Sequence, residues 1–206
     1  MPCGRRSRVS ADGAGMIAPD VPALLASRPL VGGLAVPWIT VRMPDGRYRF
    51  GAVDYHRHRR ALRDRLCQTC GGPLDPARIV FAMRDSDLKL LVSPEPGMHP
   101  VCADYSARGC PMLAGRLPHH RASDPAAHLA DLGVTSHGDP TGSRAAAPAE
   151  RWHLLWVTGY QPIINPLTGQ PAALVLPEQI LRVRPTGPPP LRPDDTGTPA
   201  GPASHP

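Results

Sequence analysis

Two cysteines separated by two residues, in the stretch LCQTCGG at 66–72, carry the clearest chemical signal in the sequence. A two-residue spacer lets Cys67 and Cys70 direct their thiolates at one metal ion, and Gly71 permits the backbone to turn away at positive φ. A redox pair with this spacing is expected at a strand end that opens a helix in a βαβ pattern. Gly-Gly-Pro follows Cys70 instead. Because this is a poor start for a helix, the sequence favours half of a metal site.

His99 and Cys102 form the second pair of ligand types, at the start of a predicted short helix. Side chains three residues apart share a helix face, and a helix N-terminus favours the thiolate over the thiol. We therefore expect Zn²⁺ held by Cys67, Cys70, His99 and Cys102. Four protein ligands leave no position for water, which makes the metal structural rather than catalytic. An alternative ligand set has Cys110 in place of His99; otherwise Cys110 is a small buried residue at the end of the helix.

The elements that lead into the first ligand pair follow from local sequence patterns. Residues 35–53 contain two runs rich in β-branched and aromatic residues, AVPWITVRM and RYRFGAV, separated by the turn sequence PDG. This pattern predicts a β-hairpin. Asp54 is a suitable N-cap for a helix that ends at Leu66 and delivers the chain into Cys67.

The segment between the two ligand pairs predicts a second hairpin. Its two apolar runs are RIVFAM at 78–83 and LKLLV at 88–92, with RDSD between them. HPVCADYSARG at 99–109 then predicts a short helix with Pro100 in its first turn. A cysteine knuckle, a hairpin and a helix that carries the second ligand pair make up a treble-clef-like arrangement. We therefore expect an α+β fold built on a small zinc module.

The remainder of the chain supplies further strands and segments without periodicity. Residues 151–164 predict a strand, residues 172–176 a strand that pairs with it across the turn NPLTGQP, and residues 177–183 a last short helix. The stretches rich in Pro, Gly and Ala predict disorder or linkers. The expected organisation is a disordered N-terminal tail at 1–34, a zinc-binding α+β domain at 35–117, a flexible linker or long loop at 118–150, strands and a short helix that complete the domain at 151–183, and a disordered tail at 184–206.

Composition and charge narrow the possible partners only slightly. The net charge is +6, and Lys89 is the only lysine, so the basic charge is almost entirely arginine. Such a balance suits a nucleic-acid partner, but a GC-rich genome produces the same composition. Five cysteines are an odd number for a secreted disulfide framework, and no stretch approaches the ~20 apolar residues of a membrane span. We expect a cytoplasmic protein that does not contact a membrane.

Several of these segments together resemble a family of uncharacterised proteins found in phages and GC-rich bacterial genomes. The segments that carry the resemblance are VPWITVRMPDGRYRFGAVD, LCQTCGGPL, IVFAM, MHPVCADYSARGCPML and LLWVTGY, within residues 35–117 and 151–183. The resemblance implies a zinc-binding module with Cys67, Cys70, His99 and Cys102 at the matching positions. Gln68 stands where members of the family commonly have an aromatic residue. The family implies no activity.

Three function classes fit these observations to different degrees. A structural zinc site predicts a non-catalytic binding or adaptor protein whose partner is a protein or a nucleic acid. The alternative is nucleic-acid binding through the arginine-rich helix at 54–66. A nuclease of the HNH type also uses a treble clef but needs a catalytic histidine on the hairpin between the ligand pairs, and residues 71–98 contain no histidine. In the alternative of nucleic-acid binding through the helix at 54–66, the contact residues would be Arg57, Arg59, Arg60 and Arg63.

Overall fold

The fold is mixed α+β, with three helices and four small sheets in the part of the chain that the structure describes. This structure is a computed structural model, and it describes residues 18–120, Leu129 and residues 146–188. The helices are α1 (Tyr55–Asp64), α2 (Asp85–Leu90) and α3 (Pro100–Gly109). The strands are β1 (Leu30–Val31), β2 (Leu34–Ala35), β3 (Thr40–Arg42), β4 (Tyr48–Val53), β5 (Ile79–Arg84), β6 (Val92–Ser93), β7 (Trp152–Val157), β8 (Gln161–Ile164), β9 (Pro171–Leu174) and β10 (Ile180–Pro185).

A three-stranded antiparallel sheet in the order β10-β7-β5 contains the centre of the core. Strands β5 and β7 pair from Ile79 opposite Val157 to Arg84 opposite Trp152. Both strands are rich in Ile, Val, Leu, Phe and Trp, and nearly all their residues are buried, as is typical of strands covered on both faces. Phe81 of β5 meets the Tyr160 ring edge to face, with ring centroids 5.1 Å apart.

The first predicted hairpin and the helix after it form as expected. Strands β3 and β4 pair antiparallel around a turn in which Gly46 has a φ of 86°. Asp54 is the N-cap of α1 and accepts a hydrogen bond of 3.0 Å from the Arg57 backbone N–H. This cap satisfies one of the free amides that every helix N-terminus presents.

The predicted second hairpin is wrong, because its second half is a helix. Residues 85–90 form α2, and the partner of β5 is β7, whose first residue, Trp152, pairs with Arg84. The sequence RDSD begins this helix: Asp87 at its third position accepts from the backbone N–H of Arg84. Short apolar runs such as LKLLV do not distinguish a strand from a helix, and the two acidic residues in the first turn favour the helix.

Residues 18–34 differ from the unstructured tail that composition predicts. Residues 23–25 form a turn of 3-10 helix, and the Leu25 side chain lies fully buried in the main core. The backbone N–H of Ala35 donates to the hydroxyl of Tyr105 on α3 at 2.8 Å, which ties this segment to the second ligand pair. The prediction of disorder for residues 1–17 lies outside the described residues.

The C-terminal part differs from prediction in two elements. The strand predicted at 151–164 is two strands, β7 and β8, which lie in different sheets, and the last element is a strand. Strands β8 and β9 pair across the predicted turn. Residues 177–179 form a short 3-10 turn, but residues 180–185 form β10 on the edge of the central sheet rather than the predicted helix. Most of the predicted linker at 118–150 and residues 189–206 of the predicted tail lie outside the described residues. Within the described ranges no helix is long and apolar enough to cross a membrane.

Candidate metal centre

The first ligand pair lies in a tight turn that begins just after α1. We call residues 66–73 the knuckle. An antiparallel bridge between Leu66 and Pro73 joins its two ends. The Cys67 N–H donates to the Gly72 carbonyl, and the Gly71 N–H donates to the Cys67 carbonyl, both at 2.8 Å. Gly71 has a φ of 82°, as the CxxCG pattern predicts. This turn brings the two cysteine sulfurs to the same side.

Two other chain segments hold the knuckle from outside. The backbone N–H groups of Trp38 and Ile39 donate to the carbonyls of Thr69 and Gln68, at 2.9 Å and 3.2 Å. On the other side, the Gln68 N–H donates to the Gly97 carbonyl at 3.0 Å. The residues between the two cysteines are therefore fixed by main-chain bonds to the first hairpin and to the segment before α3.

The second ligand pair lies at the N-terminus of α3. His99 is the N-cap, Pro100 is the first helical residue and Cys102 lies in the first turn. His99 therefore precedes the first turn, where the sequence pattern had predicted it within that turn. Val80 and Met98 exchange two backbone hydrogen bonds, of 2.9 Å and 2.8 Å, and so fix the segment that presents His99.

The four predicted ligands form one cluster. One sulfur or ring-nitrogen atom from each of Cys67, Cys70, His99 and Cys102 lies within 4.8 Å of the other three. The His99 Nδ1 atom is 3.3 Å from the Cys70 sulfur and 4.0 Å from the Cys102 sulfur. Tetrahedral zinc with bonds of ~2.0–2.3 Å has ligand atoms about 3.5–3.8 Å apart, so the cluster matches a metal site with small adjustments of the side chains.

The tautomer of His99 is set by a backbone carbonyl. Its Nε2 atom is 2.8 Å from the carbonyl oxygen of Pro73, so the Nε2–H donates and Nδ1 keeps its lone pair facing the sulfurs. Outer hydrogen bonds of this kind orient a metal-binding histidine and raise its basicity. Sequence reasoning missed Pro73, because a backbone carbonyl leaves no mark in the residue type.

The cysteine thiols of the cluster interact strongly with one another. Cys67 and Cys102 are fully buried, and Cys70 and His99 are half-buried. Hydrogen bonds from the thiols of Cys102 and Cys70 lower the pKa of Cys67 to about 3. The same bond between Cys102 and Cys67 raises the pKa of the Cys102 thiol. The cluster therefore favours one thiolate, at Cys67, and thiolate is the form of cysteine that binds metal.

Cys110, the alternative ligand, is not part of the cluster. It is the C-cap of α3, where its N–H donates to the Ser106 carbonyl at 2.8 Å. Burial raises the pKa of its thiol and so disfavours the thiolate. Its environment is that of a small, half-buried residue at a helix end.

The four arginines of α1 differ in their surroundings. Arg57 donates to the Trp38 carbonyl at 2.9 Å, so it supports the fold. Arg59 stacks on the ring of Tyr55. Arg60 and Arg63 are exposed but both form ion pairs with Asp64, with nitrogen-to-oxygen distances of 3.4 Å and 2.7 Å.

Comparisons with known proteins leave the metal cluster as the main guide to function. The chain matched no protein-family model, no curated protein and no solved structure. The four-residue Cys/His cluster, which can hold one metal ion, is therefore considered on its own chemistry.

Proposed function

We propose that this protein is a non-catalytic binding or adaptor module whose fold is stabilised by a structural zinc ion. The observation that carries the proposal is the convergence of three cysteines and one histidine, with all ligand atoms within 4.8 Å of one another. Three thiolates and one imidazole suit zinc and complete its tetrahedral shell. A complete shell of protein ligands has no position for a reacting water, which favours a structural role.

The zinc would link parts of the chain that are distant in sequence. Its ligands come from the knuckle and from the start of α3, and the first hairpin is bonded to the knuckle. The arrangement supports a treble-clef interpretation in which β5 and the segment at Met98 are the two arms of the hairpin, joined at Val80. In that interpretation α2 and β6 are an insertion between the arms.

Metal analysis of ligand variants tests the proposal. We expect about one zinc per purified chain, and loss of that zinc in Cys67→Ser and His99→Ala. Cys110→Ser is the matched control, because it removes a thiol outside the cluster, and we expect it to keep its zinc. Retention of a full equivalent by both ligand variants would refute the site.

Nucleic-acid binding through α1 is a second candidate. The observation in its favour is the exposure of the Arg60 and Arg63 side chains, which are 62% and 75% accessible. Their shared partner Asp64 offsets part of this charge. Fluorescence anisotropy with single-stranded and duplex DNA and RNA at low salt tests it.

The decisive comparison for this candidate uses two triple variants of equal charge. We expect simultaneous replacement of Arg59, Arg60 and Arg63 by Ala to abolish salt-dependent binding. The matched control replaces three exposed residues of other elements by Ala: Arg108 of α3 and Arg182 and Arg184 of β10. Equal losses in the two variants, or no binding by the unmodified chain, would exclude α1 as the interface.

A further inference from the structure

A cavity of about 500 Å³ lies beside the knuckle. The two residues between the metal-binding cysteines, Gln68 and Thr69, line it, whereas Cys67 and Cys70 do not. Its volume falls in the range of small-molecule sites, roughly 300–1,000 Å³, and far exceeds the space of one water. Most of the wall is apolar, with Ile39, Ala52, Ala82, Met98, Leu113 and Trp152 among its residues.

Gln68 contributes a polar side chain to this wall. The residue is only 9% exposed. Its backbone is fully used, because its N–H donates to Gly97 and its carbonyl accepts from Ile39. Its carboxamide makes no hydrogen bond to any residue between 18 and 120 or between 146 and 188. Because the carboxamide lines the cavity and has no partner among the described residues, its donor and its acceptor are open to a polar group bound there.

The other polar groups of the wall suggest where such a group would be bound. Thr69 Oγ1 and Ser106 Oγ lie 3.4 Å apart and leave hydrogen-bonding capacity beyond their mutual contact. The Tyr105 hydroxyl already accepts from the Ala35 N–H. Glu95 and His120 also line the cavity, and both already interact with other groups. The knuckle contributes a carboxamide, which presents a donor and an acceptor side by side.

We propose that this cavity binds a small, largely apolar molecule carrying an amide-like group, whose adjacent donor and acceptor pair with the Gln68 carboxamide. The apolar part of the ligand would fill the space between the β3–β4 hairpin and α3. The proposal names a ligand class for the binding function proposed above. It rests on that function only because the metal-bound knuckle holds Gln68 in the wall.

A matched pair of probes tests this proposal on the zinc-loaded full chain. The first is N-phenylhexanamide, and the second is phenyl hexanoate, which lacks the N–H donor. Two-dimensional ¹H–¹⁵N NMR follows the side-chain amide of Gln68 during each titration. We expect saturable binding of the amide, and affinity about five- to tenfold weaker for the ester, as one lost hydrogen bond predicts.

Two glutamine variants separate specific recognition from apolar filling of the cavity. Gln68→Leu removes the carboxamide, and Gln161→Leu makes the same change on the exposed strand β8. We expect the amide probe to lose about five- to tenfold in affinity in the first variant and nothing in the second. Equal affinities for amide and ester, or no saturable binding, would overturn the proposal.

Measuring the zinc content of each variant distinguishes failure of the cavity proposal from failure of the proposed metal site. If Gln68→Leu retains its zinc but binds the two probes equally, the metal proposal stands and the loss of discrimination supports the role of Gln68. If the variant fails to fold, the comparison of amide and ester on the unmodified chain still decides the outcome.

Discussion

Gly71 is the residue on which the shape of the knuckle depends most directly. It has a φ of 82°, and a Cβ at this position would lie 2.7 Å from the indole ring of Trp38. An alanine here would suffer both backbone strain and a steric clash. The backbone N–H of Trp38 also donates to the Thr69 carbonyl, which keeps this residue close to the knuckle.

Gly71→Ala should therefore destabilise the protein more than an ordinary glycine substitution does. Gly169 provides the control, because it also has a positive φ of 67° but nothing lies within 4 Å of its Cβ position. We expect urea unfolding of the zinc-loaded protein to show a loss of about 1 kcal/mol for Gly169→Ala. For Gly71→Ala we expect about 2–4 kcal/mol, because the clash adds to the strain. Equal losses would show that the contact with Trp38 is unimportant.

Tyr160 connects the loop after β7 to α1. The buried Tyr160 hydroxyl donates to the Leu62 carbonyl at 2.8 Å. Burial raises the pKa of Tyr160 to about 12, from a usual value of about 10. In this range the unfolded chain loses the proton first, so the folded state binds more protons. The contribution of Tyr160 to stability is therefore complete below about pH 10 and is lost as the pH rises through about 12.

Comparison with Tyr160→Phe isolates this contribution. We expect the variant to be less stable at pH 8 by about 1 kcal/mol, for the lost hydrogen bond. We also expect its stability relative to that of the unmodified protein to improve between about pH 10 and about pH 12. The measurement is the free energy of unfolding in urea at each pH. A difference that does not change with pH would contradict the raised pKa.

At the scale of elements, α2 depends on one ion pair at its N-terminus. The Asp87 carboxylate accepts from the Arg84 side chain at 2.7 Å and 2.8 Å and from the Arg84 backbone N–H at 3.0 Å. The side chain of Asp87 is only 8% exposed and that of Arg84 18%. Removing the carboxylate would leave a largely buried guanidinium with only the more distant Glu150 as a partner.

We expect Asp87→Ala to lower the free energy of unfolding by about 2–3 kcal/mol. Asp45→Ala is the control, since it removes a carboxylate from an ion pair with the exposed Arg47. Exposed pairs contribute little, so chemical denaturation should detect no change there. A loss for Asp87→Ala as small as that of the control would mean that α2 is held by other contacts.

Elements with local signals were predictable from the sequence, and elements defined by distant pairing were not. The Asp54 cap and the apolar residues of α1 lie within a few positions of one another, as do the two strands around Gly46. The pairing of β5 with β7 and the position of β10 depend on contacts across the whole chain. Local propensity does not encode such partners, and this is why the sequence predicts a strand at 88–92 and a helix at 177–183 where the structure has α2 and β10.

The candidate site also combines features that the local sequence predicts with features that depend on distant packing. Its four donors were predictable because CxxCG and HxxC are patterns in which spacing alone determines what can converge. The Pro73 carbonyl behind His99 and the cavity beside Gln68 were not predictable, since each arises from the way the knuckle packs. Gln68 itself is visible in the sequence, but the cavity that it lines is not.

At the scale of the whole molecule, the proposed zinc would act on one region more than on others. The knuckle is bonded to residues 38–39 and to Gly97, and its ligands extend to Cys102. The β8–β9 hairpin and the β5–β7 pair have their own hydrogen bonds, and β5 and β7 carry much of the main core. Metal removal should therefore loosen the surroundings of the knuckle before it unfolds the central sheet.

Hydrogen exchange of the zinc-loaded and chelator-treated protein tests this order. We expect the amides of Trp38, Ile39, Gln68 and Gly71 to lose protection by at least about 100-fold, because their hydrogen bonds depend on the shape of the knuckle. Amides of β8 and β9 serve as the internal control, and we expect them to change by less than about tenfold. A uniform loss across all segments would contradict the proposed order, because it would mean that the metal stabilises the described fold as a single cooperative unit. No change at the knuckle would mean that its main-chain bonds persist without metal, and the proposed structural role of zinc would then be wrong.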